Sequence, residues 1–394
     1  MIKHSFKLIW AKKGKNTMML LQLAFSFFML FLLFTLLYDQ IENYQRERGY
    51  TVDNIMVLNV DGSKLAGIEN YHQEIQKNYE SIDHYLSSLS EVESFSDMDD
   101  SFPFGSSYNS ESFELENGQR VQYIRQILNP TVIQLMEVKF ISGRNFNASD
   151  FDNDKKARIV NDILYEKIKP FLNDKKELLN TDGTVRMRIV GVIEGYKKQH
   201  EFEEAGDVCF WPHNKEVYRQ GYLFIKTKND PRILEAQLVQ ELEKRCPDLS
   251  FNIQYWDDLM DGANQSIILP LVLMSVVCLF LVINIALGLY GILWYNISLR
   301  TSEIGLRRAL GASRGDISKQ ILIEVGALCV LSILLGGIFA IQFPLLGVFN
   351  FTNEEYLIGA LLSCGFVGMI AFLCGWYPSK LASAITPTEA LQEL

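Results

Sequence analysis

Histidine is scarce in this chain. His4, His72, His84, His200 and His213 are the five among 394 residues, and none stands in a spacing such as H-E-x-x-H. That pattern excludes the familiar histidine-built metal hydrolases. Asp99 with Asp100, and Asp150, Asp152 and Asp154, form small acidic clusters, which read as solvated surface. No catalytic, cofactor or metal site is expected. Cysteine is nearly as rare, with six residues, and Cys278, Cys329, Cys364 and Cys374 fall in apolar blocks where a thiol serves as a small packing group. Only Cys209 and Cys246 remain. They exclude a disulfide scaffold and leave one bridge open in an oxidising compartment. Basic charge is short too: 37 Lys and Arg face 47 Asp and Glu, a net −10. A nucleic-acid surface needs the opposite balance. The phosphate-loop pattern G-x-x-x-x-G-K-[ST] is also missing. GASRGDIS has glycines but no lysine where one is needed, so these residues are not expected to hydrolyse ATP. Ser313 sits in G-A-S-R-G and is not read as a nucleophile.

What is present is apolar sequence in blocks. Four segments, 17–38, 267–293, 322–343 and 357–377, are each long enough, or nearly so, to cross about 30 Å of hydrocarbon as a helix. The first, TMMLLQLAFSFFMLFLLFTLLY, has no charge in 22 residues. It is long, and LLYDQIENY after it lacks a small-residue cleavage pattern, so it reads as a retained anchor. Residues 1–16 place Ile2, Phe6, Leu8, Ile9 and Trp10 beside lysines, the pattern of a short interfacial helix. Lys3, Lys7, Lys12, Lys13 and Lys15 precede the first span without an acid. Arg300, Arg307, Arg308, Arg314 and Lys319 lie between the second and third, against Glu303 and Asp316. The short loop 344–356 carries Glu354 and Glu355. The positive-inside rule puts both termini and the 294–321 loop in the cytoplasm. It puts residues 39–266 outside, with 26 basic and 40 acidic residues, net −14.

The expected fold class is a membrane protein of four transmembrane helices, with a mixed α/β extracytoplasmic domain inserted between spans 1 and 2. In that domain TVDNIMVLNVDG, VQYIRQIL, VRMRIVGVIEGY, YLFIKTK and FNIQYW read as strands. KLAGIENYHQEIQKNYESIDHYLSSL and ILEAQLVQELEKRC read as helices. ARIVNDILYEKI joins a strand to a helix, and TVIQLMEVKF starts as helix. Stretches 95–116 and 198–215 read as loops. A change of texture near 140–150 divides the domain into sub-domains 45–140 and 141–260. In the spans, Asn284 is expensive in lipid unless it faces a partner. Gly359, Gly365, Gly368 and Gly375 permit close helix approach in bundle packing or a dimer seam.

The most informative stretch is NISLRTSEIGLRRALGASRGDISKQILIE, residues 296–324. It predicts a helix, a tight turn at Gly311–Ala312, and a second helix capped by Ser313, with Asp316 completing a weaker form of the capping box. That helix runs on through Ile317, Ile321 and Leu322 into the third span. Such an element carries force, as a floppy loop does not. On charge alone, Arg300, Arg307 and Arg308 need do no more than meet lipid phosphates and set orientation.

In detail RTSEIGLRRALGASRGDISKQILIE resembles the signature of the permease subunits of the MacB/FtsX-like ABC transporter family. Arg300, Glu303, Ile304, Gly305, Arg307, Ala309, Gly311 and Ala312 fit its R-x-x-E-I-G-x-R-x-A-x-G-A pattern position for position. The ending WYPSKLASAITPTEALQEL is also similar, at Pro378, Lys380, Ala382, Pro387, Ala390 and Leu391. So are a Gly-Arg segment at Gly143 and Arg144 and a strand at Val190 to Val192. The resemblance implies a bacterial inner-membrane permease that is not itself an enzyme. It implies a separate ABC ATPase subunit met through Arg300–Ala312, Arg308 included, and a homodimer or paired permease. Closure of the ATPases would travel up the first two spans and drive export by mechanotransmission, with a periplasmic adaptor or envelope partner outside. Other branches of the family imply the alternative: a regulatory or sensor permease controlling an envelope enzyme, lipoprotein release or an antimicrobial-peptide response.

Overall fold

The computed structural model describes residues 13–384 apart from 68, 106, 152–155, 181 and 213–220. Most of the expected N-terminal interfacial helix, the tail beyond residue 384, and His4 and His213 lie outside the described residues. The chain divides into two compact units, one of Met1–Glu42 with Ile268–Leu394, the other of Asn43–Ile267.

Four long helices carry the apolar blocks: Lys13–Gln45, Trp256–Ser298, Arg314–Ala340 and Asn353–Ala384. Each is long and apolar enough to cross a membrane. Helix is forced there, because a backbone in hydrocarbon must satisfy its own polar groups. Leu23, Phe27, Leu30 and Phe31 of the first helix, Val325, Leu328 and Cys329 of the third and Val367, Ile370 and Ala371 of the fourth form one core. Small residues set the approach. A Cβ on Gly359 would lie 2.0 Å from Thr35 Oγ1, and one on Gly375 would lie 3.3 Å from Leu322. Gly365 and Gly368 have open space instead. The second helix leaves Leu273, Val276, Phe280, Ile283 and Leu287 exposed. Asn284 meets no partner helix among the described residues; its Nδ2 donates back to Phe280 O at 2.9 Å on the same helix.

The inserted unit is mixed α/β. Its strands are β1 (Ile55–Asp61), β2 (Val92–Met98), β3 (Asn109–Glu114), β4 (Arg120–Leu128), β5 (Phe140–Gly143), β6 (Ala157–Asn161), β7 (Glu177–Leu179), β8 (Val185–Ile193), β9 (Val208–Pro212), β10 (Gly221–Thr227) and β11 (Ser250–Tyr255). One antiparallel sheet has the order β11-β1-β10-β2, and helices Tyr71–Ser88 and Glu235–Arg245 connect its strands. This is a split βαβ arrangement of ferredoxin-like type. The period of two sorts β1 cleanly. Met56, Leu58 and Val60 pack with Ile82, Leu86, Leu238 and Leu242 on the helical face. Ile55 and Val57 join Phe224, Trp256, Val132 and Ile133 on the other. Between β2 and β10 the chain builds a second, mixed sheet, β3-β4-β9-β6-β8-β5, with β7 against β8.

Two expectations change. A cut after residue 140 does not separate the sheets, because β3 and β4 share a sheet with β6, β8 and β9, while β1 and β2 share one with β10 and β11. The second sheet is an insertion within the first, and a linear boundary cannot express that. Stretches 95–116 and 198–215 also contain β2, β3 and β9. β2 and β3 are edge strands, VESFSDM and NSESFE, whose charge blunts an exposed edge and hides the strand signal. Cys209 and Cys246 are unpaired and buried in separate cores.

Candidate coupling site

The loop between the second and third long helices is an elbow capped on both sides of its turn. Helix Thr301–Ala309 follows Ser298 after a short break. It ends with Gly311 at φ 99°, in the left-handed region that favours glycine. The Gly311 N–H donates to Arg308 O at 3.1 Å and the Ala312 N–H to Arg307 O at 3.0 Å. That pair is a Schellman closure, which uses carbonyls the helix leaves open. Ser313 then starts the next helix. Asp316 N donates to Ser313 Oγ at 3.2 Å, and Ser313 N to Asp316 Oδ2 at 3.1 Å. Both orphan donors of a capping box are met.

The elbow is also fastened to the third long helix. Arg300 Nη1 pairs with Glu324 at 3.1 Å. Arg307 donates to Gln320 Oε1 at 2.6 Å and to Glu303 Oε1 at 2.6 Å. Ile304 is buried against Ile317 and Ile321, and Gly305 is buried beside it. Ser318 Oγ donates to Ser379 O at 3.1 Å and ties in the fourth helix. Of the residues singled out by sequence, Arg300, Glu303, Ile304 and Arg307 line one small cavity, together with Gln320 and Glu324. Gly311 and Ala312 make the turn, Ala309 is exposed, and Arg308 donates to Ala312 O at 3.5 Å. Sequence reasoning missed Gln320 and Glu324, which are local to another helix. It also missed Leu306 and Leu310, which are 62% and 80% exposed. Two leucines four positions apart, flanking Arg307 and Arg308 at the end of the helix, were the available signal.

In the inserted domain the Gly-Arg segment proves structural. Gly143 has φ 81°, and a Cβ there would lie 2.3 Å from Val190 O. Arg144 pairs with the buried Asp150, Nη2 donating to Oδ1 at 3.1 Å, while Arg188 stands 3.5 Å away. Burial works against the Asp150 charge. The hydrogen bond from Arg144, the Asn147 backbone and Arg188 outweigh it and hold the carboxyl below its usual range. Two further cations are buried whole. Lys197 Nζ donates to Asn43 O, Arg46 O and Glu201 O at 2.5, 2.7 and 2.8 Å. Lys198 Nζ donates to Ser101 O and Ser107 O at 2.7 and 2.8 Å. Burial pushes the Lys198 amine down to about 8.

Four apolar helices, a mixed α/β domain between the first and second, and a braced elbow make the architecture of a multi-pass membrane protein. Residues 272–387 match the FtsX-like permease C-terminal family. Over those residues the chain is similar to the permease half of that family. It is 26% identical over 281 residues to the macrolide export ATP-binding/permease protein MacB of Pasteurella multocida, covering 66% of this chain and 41% of that one. Against the protein of the same name from Bdellovibrio bacteriovorus it is 34% identical over 146 residues, 36% of this chain and 22% of that one. Against that of Escherichia coli O157:H7 it is 25% identical over 270 residues, 64% and 40%. The chain thus spans about two fifths or less of these relatives, which are named as ATP-binding/permease proteins. The periplasmic region of MacB from Actinobacillus actinomycetemcomitans aligns at a TM-score of 0.34 and 15% identity, over 57% of this chain and 98% of that one.

Proposed function

We propose that this permease couples ATP hydrolysis, performed outside these 394 residues, to movement of the inserted domain, and that the movement drives export. The braced elbow carries this reading. A Schellman closure, a capping box and the Arg300–Glu324 pair leave little slack between the loop and the third long helix. The exposed Leu306 and Leu310 supply the apolar contact an ATPase groove needs, with Arg308, Arg314 and the other charges at its rim. On this reading the elbow and both termini are cytoplasmic, the inserted domain lies on the other side of a bacterial inner membrane, and two permeases act together. The first two long helices carry the displacement, since each extends beyond its apolar block into Asn43–Ile267.

The test is gentle detergent extraction with identification of copurifying subunits, followed by permease-stimulated ATP hydrolysis. Leu306→Asp with Leu310→Asp is expected to lower stimulation by about tenfold or more, since a buried apolar contact at an interface is worth about 1–3 kcal/mol. Charge reversal at Arg307 or Arg308, or replacement of Glu303, is expected to weaken it by loosening the elbow. Unchanged copurification and turnover in all these variants would defeat the assignment. A tag between Arg314 and Lys319 that is labelled from outside intact cells would defeat the orientation.

A further inference from the structure

Arg158 is a buried cation with no acid paired to it among the described residues of the inserted domain. Arg158 of β6 is 8% exposed, and its hydrogen bond runs to the neighbouring Ala157 O at 2.7 Å. Among the described residues no carboxylate lies within pairing distance. Glu111 acts on its charge, but that carboxylate is engaged by Arg125 at 2.7 Å and by the Tyr123 hydroxyl at 2.7 Å. An unpaired charge this deep is costly, and folded proteins seldom keep one without a use.

The surroundings have the form of a receptor for an anion. Parallel pairing sets Ile127 of β4 beside Trp211 of β9, which brings Arg125 to the same face. The antiparallel register of β6 and β9 sets Ile159 beside Phe210, which brings Arg158 level with the indole. The Arg158 guanidinium stacks on that indole, Cζ lying 3.6 Å from the ring centroid, with Arg125 at 5.3 Å. Stacking occupies the flat face of a guanidinium and leaves its N–H edge for a bidentate acceptor. Arg125 Nε and Trp211 Nε1 are buried without a hydrogen-bond partner, so two donor atoms are left over beside a guanidinium whose own hydrogen bond runs only to Ala157 O. The Arg125 and Glu111 side chains, 29% and 34% exposed, form the solvent-facing edge of this buried cluster.

We propose that Arg158, Arg125 and Trp211 form a binding site for an organic carboxylate that carries an apolar group. Two arginines against Glu111 leave one net positive charge, which suits a monoanion better than a phosphate dianion. The indole supplies an apolar wall. The carboxylate belongs either to a small organic acid or to an acidic side chain flanked by apolar residues in a peptide. The assignment is independent of how the elbow couples to an ATPase.

Saturation-transfer NMR on the full chain in detergent tests it, with benzoate as the probe. Saturable transfer is expected, unaffected by matched sodium chloride or inorganic phosphate, and lost in Arg158→Gln and Trp211→Leu. Arg158→Lys keeps the charge without the fork and is expected to weaken binding by about tenfold, as loss of a charge-assisted hydrogen bond would. A short peptide with Glu between two Phe residues, set against its Gln counterpart, identifies the source. Stronger competition by the Glu peptide than by free benzoate assigns a peptide ligand, and equal competition assigns a small acid. Arg158→Gln removes a buried unmatched charge, so its melting temperature is expected to equal or exceed that of the parent. Absence of saturable transfer, or its survival in Arg158→Gln, overturns the site.

Discussion

The Tyr50 ring stacks on the Trp256 indole, with centroids 5.8 Å apart and planes 16° apart. Tyr50 lies just past the end of the first long helix, and Trp256 is the first residue of the second. The two ends of the inserted domain therefore meet in one core, where Trp256 Nε1 donates to Pro103 O at 2.9 Å and the Tyr50 hydroxyl to Lys197 O at 2.6 Å.

Trp256→Ala is expected to lower the stability of the inserted domain by about 3–5 kcal/mol, the usual range for emptying a large aromatic site. Tyr50→Phe, which loses a single hydrogen bond, should cost about 1 kcal/mol. Urea titration of a 43–267 fragment, followed by circular dichroism, reads both. The fragment's ends matter. Lys197 binds the Asn43 carbonyl, and Asn264 accepts from Glu201 N at 2.9 Å. A 45–260 fragment lacks both groups and is expected to melt lower than 43–267; equal melting would show these contacts to be idle.

Asp150 makes the same domain sensitive to acid. Its folded carboxyl is held below the unfolded value near 3.9, so it adds stability above that value and loses it as pH falls through the lower, folded one. Asp150→Asn should cost about 2–3 kcal/mol at neutral pH and flatten the acid limb of the stability curve. A variant that keeps the parent's slope below pH 4 would contradict this.

Lys198 acts in the alkaline range with the opposite sign from a paired lysine. The unfolded amine holds its proton up to about 10.4, whereas the folded one releases it near 8. Between those values unfolding takes up a proton, so stability should rise with pH from about 8 to 10. Lys198→Met is expected to remove that rise. Denaturation midpoints measured across this window in both proteins decide it.

The elbow should be sensitive at its caps. Ser313→Ala removes one arm of the capping box, a loss of about 1 kcal/mol, and Gly311→Val puts a β-branched residue at φ 99°. Both are expected to lower stimulated ATP hydrolysis more than they lower expression. The Arg300→Glu, Glu324→Arg double exchange should recover part of what either single reversal loses. No recovery would mean that the pair at 3.1 Å does not brace the loop.

Sequence by itself determined whatever is decided within a turn or two of chain. Four uninterrupted apolar blocks can be nothing but long helices in hydrocarbon. Gly311 and the Ser313–Asp316 spacing write a stop and a start that need no distant partner. The apolar run IMVLNV marked β1 as a strand, though which face meets which core came only with the fold. Tertiary structure alone decided the rest, because the deciding contacts are far apart in the chain. Edge strands β2 and β3 are polar and are recognisable only beside their neighbours. Glu324 reaches Arg300 from a different helix, and Lys197 finds the Asn43 carbonyl across 154 positions. Arg158 becomes a stacked, unmatched cation only when two non-consecutive strands set it against Trp211. Local patterns carry propensity, but burial and charge compensation belong to the packed whole.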